Sequence, residues 1–297
     1  MAPMSADLED LRRRLDEIDD RLQDLLIERF EIVLQVGAEK RGGSVAPHQP
    51  AREAEIIRRL IARNRGALQD ETLVRIWREL LCGTTRLQGN FRVAVYAPAE
   101  APGLWDIARD HYGSHSAMQA HPSVGAVIRA VAEGQAEIGV LPMPEEEELD
   151  PWWLLLLSPD RNTPRVVSRL PFGVRGNARA GRGDALAIGR SVPQSTGRDR
   201  TLFVAEIAPD ISRGRIFSLL SSVGLETTFL AFCDRTGGSD ALVEFRGSVL
   251  ESDPRLDRFR TQLGGELYRL REFGGYAEPP QLDASARPAA ESVGARG

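Results

Sequence analysis

Between residues 8 and 36 the apolar side chains Leu8, Leu11, Leu15, Ile18, Leu22, Leu25, Ile32 and Val36 return at three- and four-residue steps, with one place skipped. That period is the seam of one long α-helix; a half-buried strand would alternate instead. Ser5 is placed to cap its start and Gly42-Gly43 to end it. A loop with Pro47 and Pro50 leads to a second helical pattern at about 51–63, and a third follows at about 70–88. One long and two shorter helices cannot cover both sides of so long a rod, so association between copies is expected.

From Phe91 the texture changes. Short β-type runs at 91–97, 136–141, 152–157, 166–172 and 185–188 are interspersed with helical patterns at 102–111 and 123–133, the rhythm of an α/β layer. From residue 201 the order is strand, helix, two strands, helix, strand: the βαββαβ, ferredoxin-like arrangement. The last stretch, 278–297, is rich in Pro, Ala, Ser and Gly and is expected to be disordered. The predicted architecture is multidomain: an all-α helical domain (1–90), an α/β segment (91–197), a ferredoxin-like α+β domain (198–277) and a tail (278–297).

Composition narrows the function. The 297 residues are 42% hydrophobic and 27% charged, ordinary for a globular chain long enough for two or three cores. A net charge of -5 without a basic stripe argues against nucleic acid. The N-terminus has no apolar signal core and the longest apolar run, 152–157, is too short for a bilayer, so a cytoplasmic protein with no membrane partner is expected. Cys82 and Cys233 offer neither a disulfide framework nor metal-ligand spacing. His111 and His115 lack a third ligand and read as a surface pair, and GNARAGRGD (176–184) lacks the lysine of a phosphate cradle and reads as a surface loop.

The basic residues carry more information. Of 38, all but one are arginine; the exception is Lys40, near the end of the first helix. Arginine is a planar five-donor fork and lysine a compact point charge, so a lone lysine is a candidate for approaching one oxygen atom. Arg29 occupies the skipped place on the apolar seam, in register with Leu8, Leu15, Leu22 and Val36, where a guanidinium needs an anion from a neighbour or a ligand. Arg12 and Lys40 share another face, but 28 residues at ~1.5 Å each put them roughly 42 Å apart. One chain cannot bring both to one small molecule; an antiparallel second copy can.

The segments LEDLRRRLDEIDDRLQDLLIERFEIVLQVGAEK, QPAREAEIIRRL and VRIWRELLCGTTRLQ together resemble the all-helical type of chorismate mutase over residues 7–88. The resemblance implies an intertwined homodimer in which Arg12 of one subunit, with Arg29 and Arg52 of the other, grips the carboxylates of chorismate. It assigns Lys40 and Gln88 to the ether oxygen and Glu53 to the ring hydroxyl. Thr84 stands where the family usually has serine, and Gln49 where a relative has aspartate. The implied reaction is the intramolecular Claisen rearrangement of chorismate to prephenate, which uses no nucleophile, cofactor or metal. Holding the reacting arm over the ring supplies orientation, and preorganised donors stabilise charge developing on the ether oxygen. With glutamine rather than a carboxylic acid at position 88, turnover is expected to stay level from about pH 6 to 8.

Beyond residue 90, SVGAVIRAVAEGQAEIGVLPM is similar to a segment of prephenate dehydratase, and TGRDRTLFVAEIA to the entry of its regulatory ACT domain. The order of the three parts resembles the bifunctional chorismate mutase and prephenate dehydratase. The dehydratase signature Thr-Arg-Asp/Phe is replaced by GDALAIGR, and the substrate loop by APAEAPGLW, so loss of dehydratase activity is expected. In the ACT-like part TTFLAFC stands where a Glu-Ser-Arg-Pro phenylalanine-binding motif belongs. The alternatives are a non-catalytic sensor of aromatic amino acids, or an isochorismate pyruvate lyase on the same helical scaffold.

Overall fold

The computed structural model describes residues 4–40, 48–146, 148, 150–158, 160, 162–173, 176, 177, 179 and 183–282. The expected helix end at Gly42-Gly43, the tail beyond 282 and four of the nine residues of the 176–184 loop lie outside them. The helical pattern becomes α1 (Met4–Lys40), α2 (Pro50–Arg63) and α3 (Asp70–Gln88). α1 already begins at Met4, so Ser5 lies within its first turn rather than ahead of it. Gln49 is the N-cap residue of α2 and Pro50 its first residue, where a missing N–H costs nothing.

The chain forms two compact units. The first holds α1 and the end of α3 from Gly83. Two glycines let these helices meet: a Cβ on Gly83 would stand 3.4 Å from Phe30 Cζ, and one on Gly37 3.4 Å from Gln88 Cγ. The rest of the α1 seam is uncovered, with Leu8, Leu15, Leu22 and Leu25 each about half exposed or more (49%, 59%, 52% and 60%).

The second unit contains Gln49–Cys82 and everything from Phe91. Its strands are β1 (Arg92–Tyr96), β2 (Ala117–His121), β3 (Ile138–Pro142), β4 (Arg165–Leu170), β5 (Ala185–Gly189), β6 (Asp199–Ile207), β7 (Thr227–Arg235), β8 (Gly238–Arg246) and β9 (Leu267–Ala277). Its remaining helices are α4 (Gly103–Tyr112), α5 (Val124–Ala132), α6 (Arg213–Ser222) and α7 (Pro254–Leu263). The strands make one sheet in the order β2-β1-β3-β5-β4-β9-β6-β8-β7. Its second half, β9-β6-β8-β7, is the antiparallel order of a βαββαβ ferredoxin-like unit, as the sequence predicts.

The two halves join where β4 and β9 run parallel, at the pair Val166 and Gly274. One apolar cluster spans the junction, with Val127 and Ile188 from the first half, Leu202 and Leu242 from the second, and the fully buried Trp153. A further small core sets Ala54, Ile57, Val74 and Leu81 of α2 and α3 against Phe172, after β4.

Three local readings change. His111, read as one of a surface pair, is buried on α4, whereas His115 is exposed. Residues 152–157, expected as a strand, form a 3-10 helix (Trp152–Leu157). Trp152, Trp153 and Leu156 are buried while Leu155 is 54% exposed, a turn-like spacing that a short all-apolar run cannot reveal in advance. β2 is an edge strand with a mostly exposed Ala-Met-Gln-Ala-His sequence, so it has no apolar alternation to betray it. Among the described residues no helix is long and apolar enough to cross a membrane, and no cluster of three or more His, Cys, Asp or Glu side chains could hold a metal.

Candidate active site

Five of the eight expected site residues belong to the first unit: Arg12, Arg29, Lys40, Thr84 and Gln88. Arg12 lies on an exposed stretch of α1. Arg29 is half-buried on the same helix, and burial pulls its guanidinium below the ordinary arginine value, as expected of a cation on an apolar seam. Lys40 is the last residue of α1; its ammonium lies outside the described positions. Thr84 is buried on α3. Gln88, the last residue of α3, is half-buried with its side chain against Gly37, one turn before Lys40. Only glycine lets the amide lie so close to the α1 backbone without a methyl group between them.

One neighbour was not legible in the sequence pattern. Arg86 is half-buried on α3, and its Nη1 is buried with no hydrogen-bond partner among the described residues. In so arginine-rich a chain nothing in the sequence separates it from the surface arginines.

The other three residues open α2 in the second unit. The backbone N–H of Glu53 donates to the Gln49 carbonyl at 3.1 Å, closing the first turn. Arg52 points outward and pairs with Glu55 at 3.1 Å, both well exposed. Glu53 turns the other way: it is 8% exposed, and its carboxylate accepts from Arg78 Nη1 at 2.9 Å. Arg78 is itself buried, with its guanidinium 5.0 Å from the centre of the Phe172 ring. Tyr112 of α4 is fully enclosed nearby; burial, and then the charge on Glu53, push its phenol well above the ordinary tyrosine value. The sequence names Glu53 but gives no sign of Arg78, which pairs with it, or of Phe172, which packs on Arg78. Arg78 sits one turn before Cys82 in a helical pattern where a buried and an exposed arginine look alike.

Chemically, α1 and the end of α3 carry cations and an amide, the donor types that grip carboxylates and an ether oxygen. The first turn of α2 adds one exposed cation and one buried carboxylate.

Residues 11–89 match the family model described as chorismate mutase type II. The bifunctional chorismate mutase/prephenate dehydratase of Pseudomonas aeruginosa is 30% identical over 146 residues, 48% of this chain and 40% of that protein. The same-named protein of Aquifex aeolicus is 28% identical over 141 residues, 46% of this chain and 39% of its own length. The chain thus spans about two fifths of the curated relatives it matches. Among solved structures, prephenate dehydratase from Arthrobacter aurescens in complex with L-Phe aligns with a TM-score of 0.45 at 11% identity, covering 65% of this chain and 93% of that one. The similarity to chorismate mutase type II thus lies in the N-terminal helical region, residues 11–89.

Proposed function

We propose that this protein is a chorismate mutase that converts chorismate to prephenate as an intertwined homodimer. The observation that carries the reading is the family match itself, because residues 11–89 contain all eight positions the chemistry calls for. In the proposed site Arg12 of one subunit and Arg29 and Arg52 of the other bind the substrate carboxylates. Bidentate guanidinium pairs fix the enolpyruvyl arm over the ring, so the barrier falls through orientation. Lys40 and Gln88 donate to the ether oxygen as its bond to carbon breaks, and Glu53 accepts from the ring hydroxyl. Thr84 and Gln49 complete the polar surroundings. No residue needs to take up or release a proton.

The homodimer is supported by α1, whose apolar seam stays about half exposed along Leu8, Leu15, Leu22 and Leu25. A patch of that length on a soluble chain calls for a partner. A cytoplasmic location and no nucleic-acid partner suit an enzyme acting on small soluble acids in aromatic amino acid biosynthesis.

We further propose that the part after residue 90 has no dehydratase activity. The residues that replace the signature form β5, and Ala185, Leu186, Ala187 and Ile188 are all buried apolar side chains with no catalytic group among them. Asp184, just before them, is tied to Arg169 at 2.7 Å. The division into a dehydratase-like segment (91–197) and an ACT-like domain (198–277) belongs to the same reading.

The purified protein is to be incubated with chorismate and its product identified. Prephenate is expected; pyruvate would point to the lyase alternative, and no turnover to a sensor. Prephenate added alone is expected to yield no phenylpyruvate.

A further inference from the structure

In the second unit α2 borders a cavity of about 720 Å³ whose charged wall, among the described residues, is Arg58, Arg169, Arg198 and Arg246 against Asp184 and Glu278. Both acids are already engaged. Asp184 accepts from Arg169 at 2.7 Å, and Glu278 from Arg200 at 2.5 Å. Arg246 is neutralised by Glu226, at 2.7 Å. Arg58 and Arg198 remain, neither with a carboxylate at ion-pair distance among the described residues.

Arg58 is held by neutral oxygens. Its Nη1 donates to Thr196 Oγ1 at 2.7 Å, and its Nη2 donates to the carbonyls of Arg198 at 2.7 Å and Glu278 at 2.6 Å. Its Nε is buried and has no hydrogen-bond partner among the described residues. Burial, and then the charge of Arg198, lower the Arg58 guanidinium from its ordinary value. Asp199, Glu278 and Glu55 act in the other direction, yet none comes within ion-pair distance of Arg58 among the described residues, so the two neighbouring cations at the cavity edge offer a seat to an anion.

The rest of the wall limits which anion. Ile61 of α2, Pro171 after β4, and Pro279 and Pro280 beyond β9 supply apolar surface. A bare inorganic ion would leave that surface wet, whereas an acid with a hydrocarbon body covers it. The volume lies in the range of small-molecule sites, roughly 300–1,000 Å³.

We propose that this cavity binds a small organic acid, with a carboxylate seated between Arg58 and Arg198 and an apolar body against Ile61 and the prolines. The site is separate from the residues assigned to chorismate and does not depend on that assignment.

The test is calorimetric titration of the full chain with phthalate, which joins two carboxylates to an aromatic ring. Saturable binding that persists in Arg29→Ala is expected, weakened about tenfold or more in Arg198→Ala and by raised salt. Arg198 is exposed, so that variant keeps the fold; Arg58→Gln is expected to lose binding too, and if it fails to fold, Arg198→Ala decides alone. Arg29→Ala, in the first unit, is expected to leave phthalate affinity unchanged, which separates this site from the proposed mutase site. Inorganic phosphate is expected not to compete. Absence of saturable binding, equal affinity in Arg198→Ala, loss in Arg29→Ala instead, or displacement by phosphate as readily as by phthalate would each overturn the proposal.

Discussion

Glu53 and Arg78, on different helices and 25 residues apart, form a buried ion pair at 2.9 Å with both side chains nearly closed to solvent. Removing one member of such a pair leaves a charge in a medium that cannot solvate it, which costs roughly 3–5 kcal/mol. Arg78→Ala is therefore expected to lower stability by about 3 kcal/mol, the lower end of that range. The double variant Glu53→Gln/Arg78→Ala should lose less than the two single losses added together. Urea unfolding of the four proteins measures the coupling. Additive losses would mean that the pair stabilises nothing beyond its separate parts.

How far this arrangement was legible depends on what each signal encodes. Helical period and caps record burial along one element, so α2 and α3 fall within a residue or two of their expected ranges. The ferredoxin-like order likewise follows from the sequence of elements. Pairing across elements leaves no such trace. Arg78 is one of many arginines, and only the closure of Phe172 over it marks it out. The joining of the α/β segment to the ferredoxin-like part through Val166 and Gly274 is equally silent, because a glycine near the end of a strand reads as a weak strand rather than as a crossing point.

That crossing point yields the second prediction. Gly274 has φ +124, and a Cβ there would fall 2.5 Å from the Val166 backbone nitrogen and still closer to its carbonyl oxygen. Backbone atoms cannot swing aside as a side chain would, and an alanine would also be strained at that φ. Gly274→Ala is expected to cost about 2–4 kcal/mol, of the order seen when a special backbone position is violated. Thermal unfolding of the variant checks this; a melting temperature within a degree of the parent would contradict it.

Alkaline stability follows from two enclosed phenols. Burial, and then the charge of Glu244, raise the Tyr276 phenol, which donates to Glu244 Oε2 at 2.5 Å. Tyr112 is raised in the same direction by burial and by Glu53. A folded value above the unfolded one means that the stabilisation is complete below about pH 10 and is lost as the pH rises further, because the unfolded chain releases protons that the folded chain retains. Stability is expected to fall by up to ~1.4 kcal/mol per pH unit for each phenol above about pH 10. Tyr276→Phe, although less stable at pH 8, should show a shallower decline. Urea midpoints between about pH 9 and 11 test it, and a flat parent profile would refute it.

The apolar seam of α1 can be challenged directly. Leu15 and Leu22 are 59% and 52% exposed, so replacing both with glutamate removes no intrachain core. If a second copy covers them, the buried carboxylates are costly and the dimer should dissociate. Light scattering after size exclusion is expected to show a dimer for the parent and a monomer for Leu15→Glu/Leu22→Glu. Helical content should fall only modestly. A parent that is already monomeric at tens of micromolar would remove the reason to expect Arg12 from a partner, and with it the proposed site.

The last prediction isolates one charge. In a chain with 37 arginines, Lys40 closes α1 one turn beyond the glycine on which Gln88 rests. If its task is to donate to a single ether oxygen, charge alone does not suffice. A guanidinium spreads the charge over a plane and needs more room, so its donors miss the atom that an ammonium reaches. Lys40→Arg keeps the net charge and a good helix former at a helix end. Stability should therefore change by only a few tenths of a kcal/mol. Turnover of chorismate is expected to fall about a hundredfold, the usual scale for losing one preorganised donor to a developing oxyanion. The loss should appear in kcat more than in KM, because the interaction strengthens only as the C–O bond breaks. A variant with normal kcat would leave the family assignment standing and remove Lys40 from the chemistry.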